Sequence, residues 1–356
     1  MTGKYNSRNY IAFGSLKPGE QTFAHYLKRA GYATCVVGKW QLDGGGTPGS
    51  PPGVHPQEAG FDDYSLWNYL ERGSRYADPL LKNRDTPLGV SKGVYGPDVQ
   101  SDYALHFLEQ HKDGPFFLYY TMTLVHEPFE ATPDIDDWST ARKEKSLAHF
   151  APMVRYMDKL VGALLDKVHA LGLDDNTVIL FTGDNGTDRD VHTRMADGST
   201  VQGGKGMTME TGTHVPLLAR WPGVTQPGTT QEGLVGFEDF LPTLLDIAGV
   251  KAPVEVHCDG TSFLPQLKGE AVPRRPWQYA FYNPLHGPWP KTRYARDTHY
   301  KLYEDGRFYD SDADPLEQAL LSQDKLSEAQ KAARAQLQEV LCLLYTSDAA
   351  DDTPCV

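Results

Sequence analysis

The run TVILFTGDNG, Thr177 to Gly186, is a short stretch of β-favouring apolar residues that stops abruptly in a carboxylate, an amide and a glycine. Before it stands Pro152 to Leu171, in which Met153, Tyr156, Met157, Leu160, Leu164, Val168 and Leu171 recur at helical spacing. The same order of helix and then buried strand repeats along the chain. Gly19 to Ala30 has Phe23 and Leu27 four apart, Gly31 stands where a helix would be capped, and the β-rich ATCVVGKW follows. Ser101 to His111 precedes PFFLYYTMTLVHEP, and after the opening run come VPLLARWPG, Val215 to Gly223, and the helical FEDFLPTLLDIAGV. Alternating strands and helices predict an α/β fold with a mainly parallel central sheet flanked by helices.

From about Trp277 the pattern changes to short strands separated by turns, in WQYAFY, TRYAR, HYKLYED and GRFYDS, followed by a helix from Ser327. That predicts a small C-terminal α+β subdomain. The expected division is an α/β domain over residues 1–265, the subdomain over 266–341, and a tail over 342–356. The tail, CLLYTSDAADDTPCV, resembles a translated sequencing-library adapter and is expected to be an artefact of assembly. In that case Cys342 and Cys355 carry no information.

Bulk properties narrow the function classes. The 356 residues, 40% of them hydrophobic, can bury a sizeable core. Lys plus Arg total 34 against 47 Asp plus Glu, a formal net charge of −13 that repels phosphate backbones and anionic lipid. Nucleic-acid binding is therefore not expected, and an anionic substrate would need a locally positive site. No apolar run is long enough to span a membrane. The four cysteines show no CxxC pair or zinc spacing.

In open α/β sheets ligands sit beyond the carboxyl ends of strands, so polar residues following buried strands are the ones to collect. Four stretches qualify: Lys39 after TCVVG, His126 after FFLYYTMTLV, Asp184 with Asn185 after VILFTG, and Lys205 in GGKGM before VPLLARW. Asp184 and Asn185 offer hard oxygen donors suited to Ca²⁺, with Mg²⁺ as the alternative. An isolated DNG is more often a tight turn, and two donors are too few for calcium. Lys205 between two glycines is compatible with an anion or with a solvated loop. His126 reads equally as a general acid or a satisfied strand-end histidine, and Lys39 as an oxyanion ligand or a side chain running past Trp40. Together, two lysines, a histidine and a divalent cation describe a site for a tetrahedral oxyanion, hence sulfate or phosphate ester hydrolysis.

In order, GYATCVVGKWQL, GFDDY, PFFLYYTMTLVHEPF, YMDKLVGALLDKVHALGLDDNTVILFTGDNG, GGKGMTMETGTHVPLLARWPG, DFLPTLLDIAGV and YKLYEDGRFYDSDADPLE resemble the arylsulfatase-type sulfatases of the alkaline phosphatase superfamily, from Met1 to about Leu341. The resemblance implies sulfate ester hydrolysis by a formylglycine nucleophile made from the cysteine of a Cys-x-Pro-x-Arg motif, with one Ca²⁺. It implies metal ligation by Asp184 and Asn185, sulfate binding by Lys39, and contact with the leaving-group oxygen by His126 and Lys205. It also implies a sulfated small molecule or sulfated glycan as substrate, and a periplasmic or extracellular site for the full-length parent.

Two departures matter. Thr2, Gly3, Lys4 and Tyr5 match residues that in the family follow closely after the nucleophile motif, so the sequence is expected to be truncated and the chain as written inactive. Cys35 lacks the Pro and Arg and is rejected as a substitute. Gln41 stands where the common pattern has histidine, and glutamine cannot act as a base. Phosphodiester or phosphonate ester hydrolysis in the same superfamily, and noncatalytic binding of sulfated glycans, are the alternative readings. Specificity is expected from the Asp43 to Gly60 loop, the Trp67 to Lys92 insertion and the small C-terminal subdomain, including Asn283 to Pro290.

Overall fold

The computed structural model describes residues 1–45, 49–251, 257–271, 275–284 and 291–348. Part of the Asp43 to Gly60 loop and most of Asn283 to Pro290 thus lie outside the described residues, as does Cys355. Helix α1 (Phe23–Arg29) begins at Thr22, whose hydroxyl accepts the Ala24 N–H and whose N–H is accepted by His25, a reciprocal cap. It leads into β1 (Ala33–Lys39), followed by β2 (Asp63–Trp67), β3 (Leu80–Asn83), β4 (Gly89–Val90), α2 (Gly96–His111) and β5 (Phe116–Thr121). These strands form one sheet in the order β4-β3-β2-β1-β5. Its centre is parallel, β1 pairing with β2 and β5, while β3 and β4 add an antiparallel edge. The sheet as a whole is mixed.

β1 is buried at every position from Thr34 to Gly38, as a central strand should be. Its side chains alternate between two cores. Val36 faces Phe23, Phe61, Leu241 and Leu245, whereas Cys35 and Val37 face Ala104 and Phe107 of α2. Helices therefore cover both faces of the sheet: α1 with the later helix that carries Leu241 and Leu245 on one, α2 on the other. The later α/β elements are α3 (Phe150–Ala170), β6 (Ile179–Thr182), β7 (Leu217–Arg220) and α4 (Phe240–Ile247).

Here one expectation is corrected. β6 does not join the central sheet: it pairs antiparallel with β7, Leu217 opposite Thr182 and Arg220 opposite Ile179, as a separate two-stranded ribbon. The strand-end residues consequently come from two sheets. An apolar run does not by itself say which strand will lie beside it, and here that strand is β7.

The C-terminal region is a four-stranded antiparallel meander of β8 (Gln278–Tyr282), β9 (Thr292–Arg296), β10 (Tyr300–Tyr303) and β11 (Phe308–Asp310). The last helix, α5 (Glu328–Asp348), packs Leu337, Val340, Leu341 and Leu344 on Tyr279, Ala295, Leu302 and Phe308. It runs without a break across Leu341 and Cys342.

A buried ion network joins the meander to the α/β part. Arg296 Nη1 donates to Glu210 Oε1 at 2.5 Å, and Lys301 Nζ lies 2.7 Å from Glu317 Oε1 and 3.6 Å from Glu210 Oε1. Burial pushes the Glu210 carboxyl up, but the hydrogen bonds from His214 and Arg296 and the charge of Lys301 outweigh it and hold the group down at about 2. A carboxyl whose folded pKa is depressed contributes stability above its unfolded value, and loses it as pH falls through the folded value. Denaturant unfolding is expected to show a loss of at most about 3 kcal/mol from this group between about pH 5 and pH 2. Glu210→Gln should flatten that dependence, and an unchanged acid limb would contradict the assignment.

Candidate active site

Lys39 is the last residue of β1 and follows Gly38, which is paired on both sides. That glycine has φ +113°, and a Cβ on it would lie 2.0 Å from the Thr121 carbonyl oxygen. The Thr121 hydroxyl lies 2.7 Å from the Lys39 carbonyl oxygen, to which it donates, and 3.0 Å from that of Val37, clamping the ends of β1 and β5 together. Trp40 turns the other way, its indole N–H donating to Val54 O at 3.0 Å and its ring edge-on to Phe61. The Lys39 stem is therefore not laid on the indole by the strand's alternation. Burial pulls its ammonium down to about 8, and the Asp184 carboxylate is the largest influence in the opposite direction; Arg75, Lys205 and Glu127 also act on it.

His126 lies five residues beyond β5, on a loop held by the buried Tyr76, whose hydroxyl lies 2.8 Å from Thr123 O and 2.5 Å from His126 O. Its Nδ1 is 2.7 Å from the Glu127 carbonyl oxygen and 2.6 Å from Glu127 Oε2. Lys205 Nζ stands 3.6 Å from the same Oε2. The Lys205 loop is laced to the turn after β6, since the Lys205 N–H donates to Thr187 O at 3.0 Å and the Gly186 N–H to Gly212 O at 2.9 Å. A Cβ at Gly186 would sit 1.9 Å from Thr211 O, so the DNG turn needs this glycine for close packing. From the meander, the Tyr282 hydroxyl donates to Gly206 O at 2.9 Å.

Lys39, His126, Asp184, Asn185 and Lys205 all line one cleft of about 2610 Å³. Within it Lys39 feels the charges of Asp184 and Lys205, and Glu127 Oε2 stands against both His126 and Lys205, so side chains from two sheets and an intervening loop act on one another. Asp184 and Asn185 are exposed. Their oxygens suit a hard divalent cation in kind but not in number, because among the described residues no group of three or more His, Cys, Asp or Glu is placed to hold a metal.

Two charged groups beside these residues went unread in the sequence. Glu127 was hidden by its neighbour His126, although a carboxylate beside a candidate acid was a usable signal. Arg75 lies in the Trp67 to Lys92 insertion, off any strand end. It is 6% exposed, stacks 4.1 Å over the Trp67 ring, and its Nη1 has no hydrogen-bond partner among the described residues. Trp67 is the register partner of Lys39, which brings that guanidinium to the same end of the sheet. Gln41 also lines the cleft, with φ +50° and its N–H donating to Asn68 O. Cys35 is wholly buried against α2, and burial pushes its thiol far up, so it is no nucleophile.

Comparison with known proteins identifies the family. The Sulfatase family matches residues 1–250, and the family described as N-sulphoglucosamine sulphohydrolase, C-terminal, matches residues 204–342. An arylsulfatase of Hemicentrotus pulcherrimus is 31% identical over 281 residues, covering 74% of this chain and 49% of the relative. N-acetylgalactosamine-6-sulfatase of Mus musculus is 29% identical over 290 residues, covering 75% and 52%. The chain spans about half the length of these curated relatives. The structure of BT4656 with its substrate D-glucosamine-2-N,6-O-disulfate superimposes with a TM-score of 0.74 at 22% identity, covering 99% of this chain and 88% of that one. Ps i-CgsB gives 0.76 at 22% identity, covering 99% and 81%. The fold, with its helix-flanked sheet and C-terminal meander, is shared with these structures, and with a family match over residues 1–250 the chain belongs to the sulfatase family.

Proposed function

We propose that the protein is a sulfuric ester hydrolase, and that this chain supplies the part of the site that holds the sulfuryl group and the leaving oxygen. The observation that carries the reading is the gathering of Lys39, His126 and Lys205 in one cleft of an acidic protein. Lys39 offsets charge on a nonbridging sulfuryl oxygen. His126 hands a proton to the leaving oxygen, and Lys205 stabilises the charge that develops there. Asp184 and Asn185 would contribute two of the oxygens of a Ca²⁺ site, where the ion would polarise the sulfuryl group. The formylglycine of the family has no counterpart among these residues, since Cys35 is sealed in the core.

A sulfated saccharide is the proposed substrate class. In support, structures with this fold hold D-glucosamine-2-N,6-O-disulfate and a neocarrahexaose. The cleft also has a polar wall from the meander, with Tyr282, Arg296 and His299 among its residues.

Calorimetry with inorganic sulfate, with and without Ca²⁺, tests the reading together with an aryl sulfate turnover assay. The chain is expected to bind sulfate in a salt-sensitive manner and not to turn over the ester. Turnover by this chain would show that a nucleophile has been overlooked. No sulfate binding under either condition would remove the hydrolase reading, and clearly tighter binding of a phosphodiester would favour phosphoryl chemistry.

A further inference from the structure

We infer that Glu127 is a positioning residue that fixes which nitrogen of His126 exchanges a proton with the ligand. The His126 Nδ1 lies 2.7 Å from the carbonyl oxygen of Glu127, its hydrogen-bond acceptor, and 2.6 Å from Glu127 Oε2, an ion-pair contact beside that bond. Both neighbours are acceptors. An unprotonated Nδ1 would press its lone pair against two oxygens, so Nδ1 keeps its proton whether the ring is neutral or charged. The exchanging atom is then Nε2. His126 lines the cleft, and the Glu127 carboxylate stands against its Nδ1, which leaves Nε2 as the ring nitrogen free to meet a ligand there.

The same carboxylate reaches the second leaving-group residue, with Lys205 Nζ 3.6 Å from Oε2. Burial pushes the Glu127 carboxyl up, but contact with His126 and the charges of His126, Lys205 and Arg75 hold it down at about 2, so it is an anion across the working range. One side chain thus orients the proton donor and draws the neighbouring cation to the same wall. Its purpose rests on the hydrolase reading. As the ester oxygen leaves, the Nε2–H bond breaks, an O–H bond forms on that oxygen, and the imidazolium becomes a neutral ring that still carries Nδ1–H.

The test is long-range ¹H–¹⁵N correlation on the ¹⁵N-histidine-labelled chain without ligand, at a pH where the ring is neutral, with the His126 signals assigned by their loss in His126→Asn. The wild type is expected to show the Nδ1–H tautomer, opposite to the usual preference of a free imidazole. Glu127→Gln keeps an acceptor but loses the charge and should lower the Nδ1–H to Nε2–H ratio several-fold. Glu127→Ala should lower it on the order of tenfold. Nε2–H in the wild type overturns the inference, and so does an unchanged ratio in Glu127→Ala, because the backbone carbonyl alone would then set the ring. Should Glu127→Ala not fold, an unchanged ratio in Glu127→Gln overturns it equally. Because the ring is read without ligand, this failure is distinct from a failure to bind sulfate, which would sink the hydrolase reading and not the ring assignment.

Discussion

Lys301→Met is expected to destabilise the protein by about 3–5 kcal/mol, read as a lower denaturant midpoint with little change in slope. Lys301 is completely buried on β10, and its Nζ donates to Thr208 O at 2.6 Å and to Glu317 Oε1 at 2.7 Å, within 4.8 Å of the Tyr294 ring centre. Burial pulls the ammonium's pKa down, and the Glu317 and Glu210 carboxylates restore part of it. Methionine matches the stem but not the charge. The Glu317 carboxylate would keep only the Tyr303 hydroxyl at 2.6 Å among these partners, inside a site too dry to solvate it. Removing one member of a buried pair strands the other, which is why the expected loss exceeds the net worth of the pair. The double variant Lys301→Met with Glu317→Gln should recover part of the loss, since the stranded charge goes too. A single-variant cost below about 1 kcal/mol would mean that the network is solvated. The change also bears on the cleft, because Thr208 follows Lys205 by three residues.

How far the sequence could be read depended on whether the signal was local. The helix before Thr177 and the buried run of β1 were legible because their periods are set by one element's own core face: Cys35 and Val37 to one side, Val36 to the other. The partner of β6 was not legible, because apolar runs such as VILF and PLLA look alike in parallel and antiparallel pairs. Hydrogen bonding to β7 decided it. β3 and β4 passed as an insertion, since Gly89 and Val90 are both exposed and show no alternation. At the site, Lys39, His126, Asp184, Asn185 and Lys205 could be collected by a rule about strand ends. Arg75 could not, because its approach to the site depends on stacking over Trp67, which pairs with Lys39 only through sheet register.

Lys39→Met is expected to weaken binding of inorganic sulfate by about two orders of magnitude, the scale of losing a charge-assisted hydrogen bond in a partly desolvated site. The pH profile gives the sharper result. Burial lowers the Lys39 ammonium to about 8, while the Asp184 carboxylate pulls it back up. Only the charged form attracts the anion, so the contribution of Lys39 to sulfate affinity should be fully present below about pH 8 and fall by up to about tenfold per unit above it. Lys39→Arg keeps its charge over this range, so its profile should lose the break even where the longer fork binds less well. A divalent cation at Asp184 would cancel the upward pull of that carboxylate and move the break to lower pH. Such a shift would be absent if the ion merely bound elsewhere and added bulk screening. A wild-type profile that stays flat through about pH 10, or a break that survives in Lys39→Arg, would take Lys39 out of the anion site. If the break appears in the wild type and moves with Ca²⁺, the lysine at the end of β1 and the carboxylate beyond β6 act on one ligand across two separate sheets.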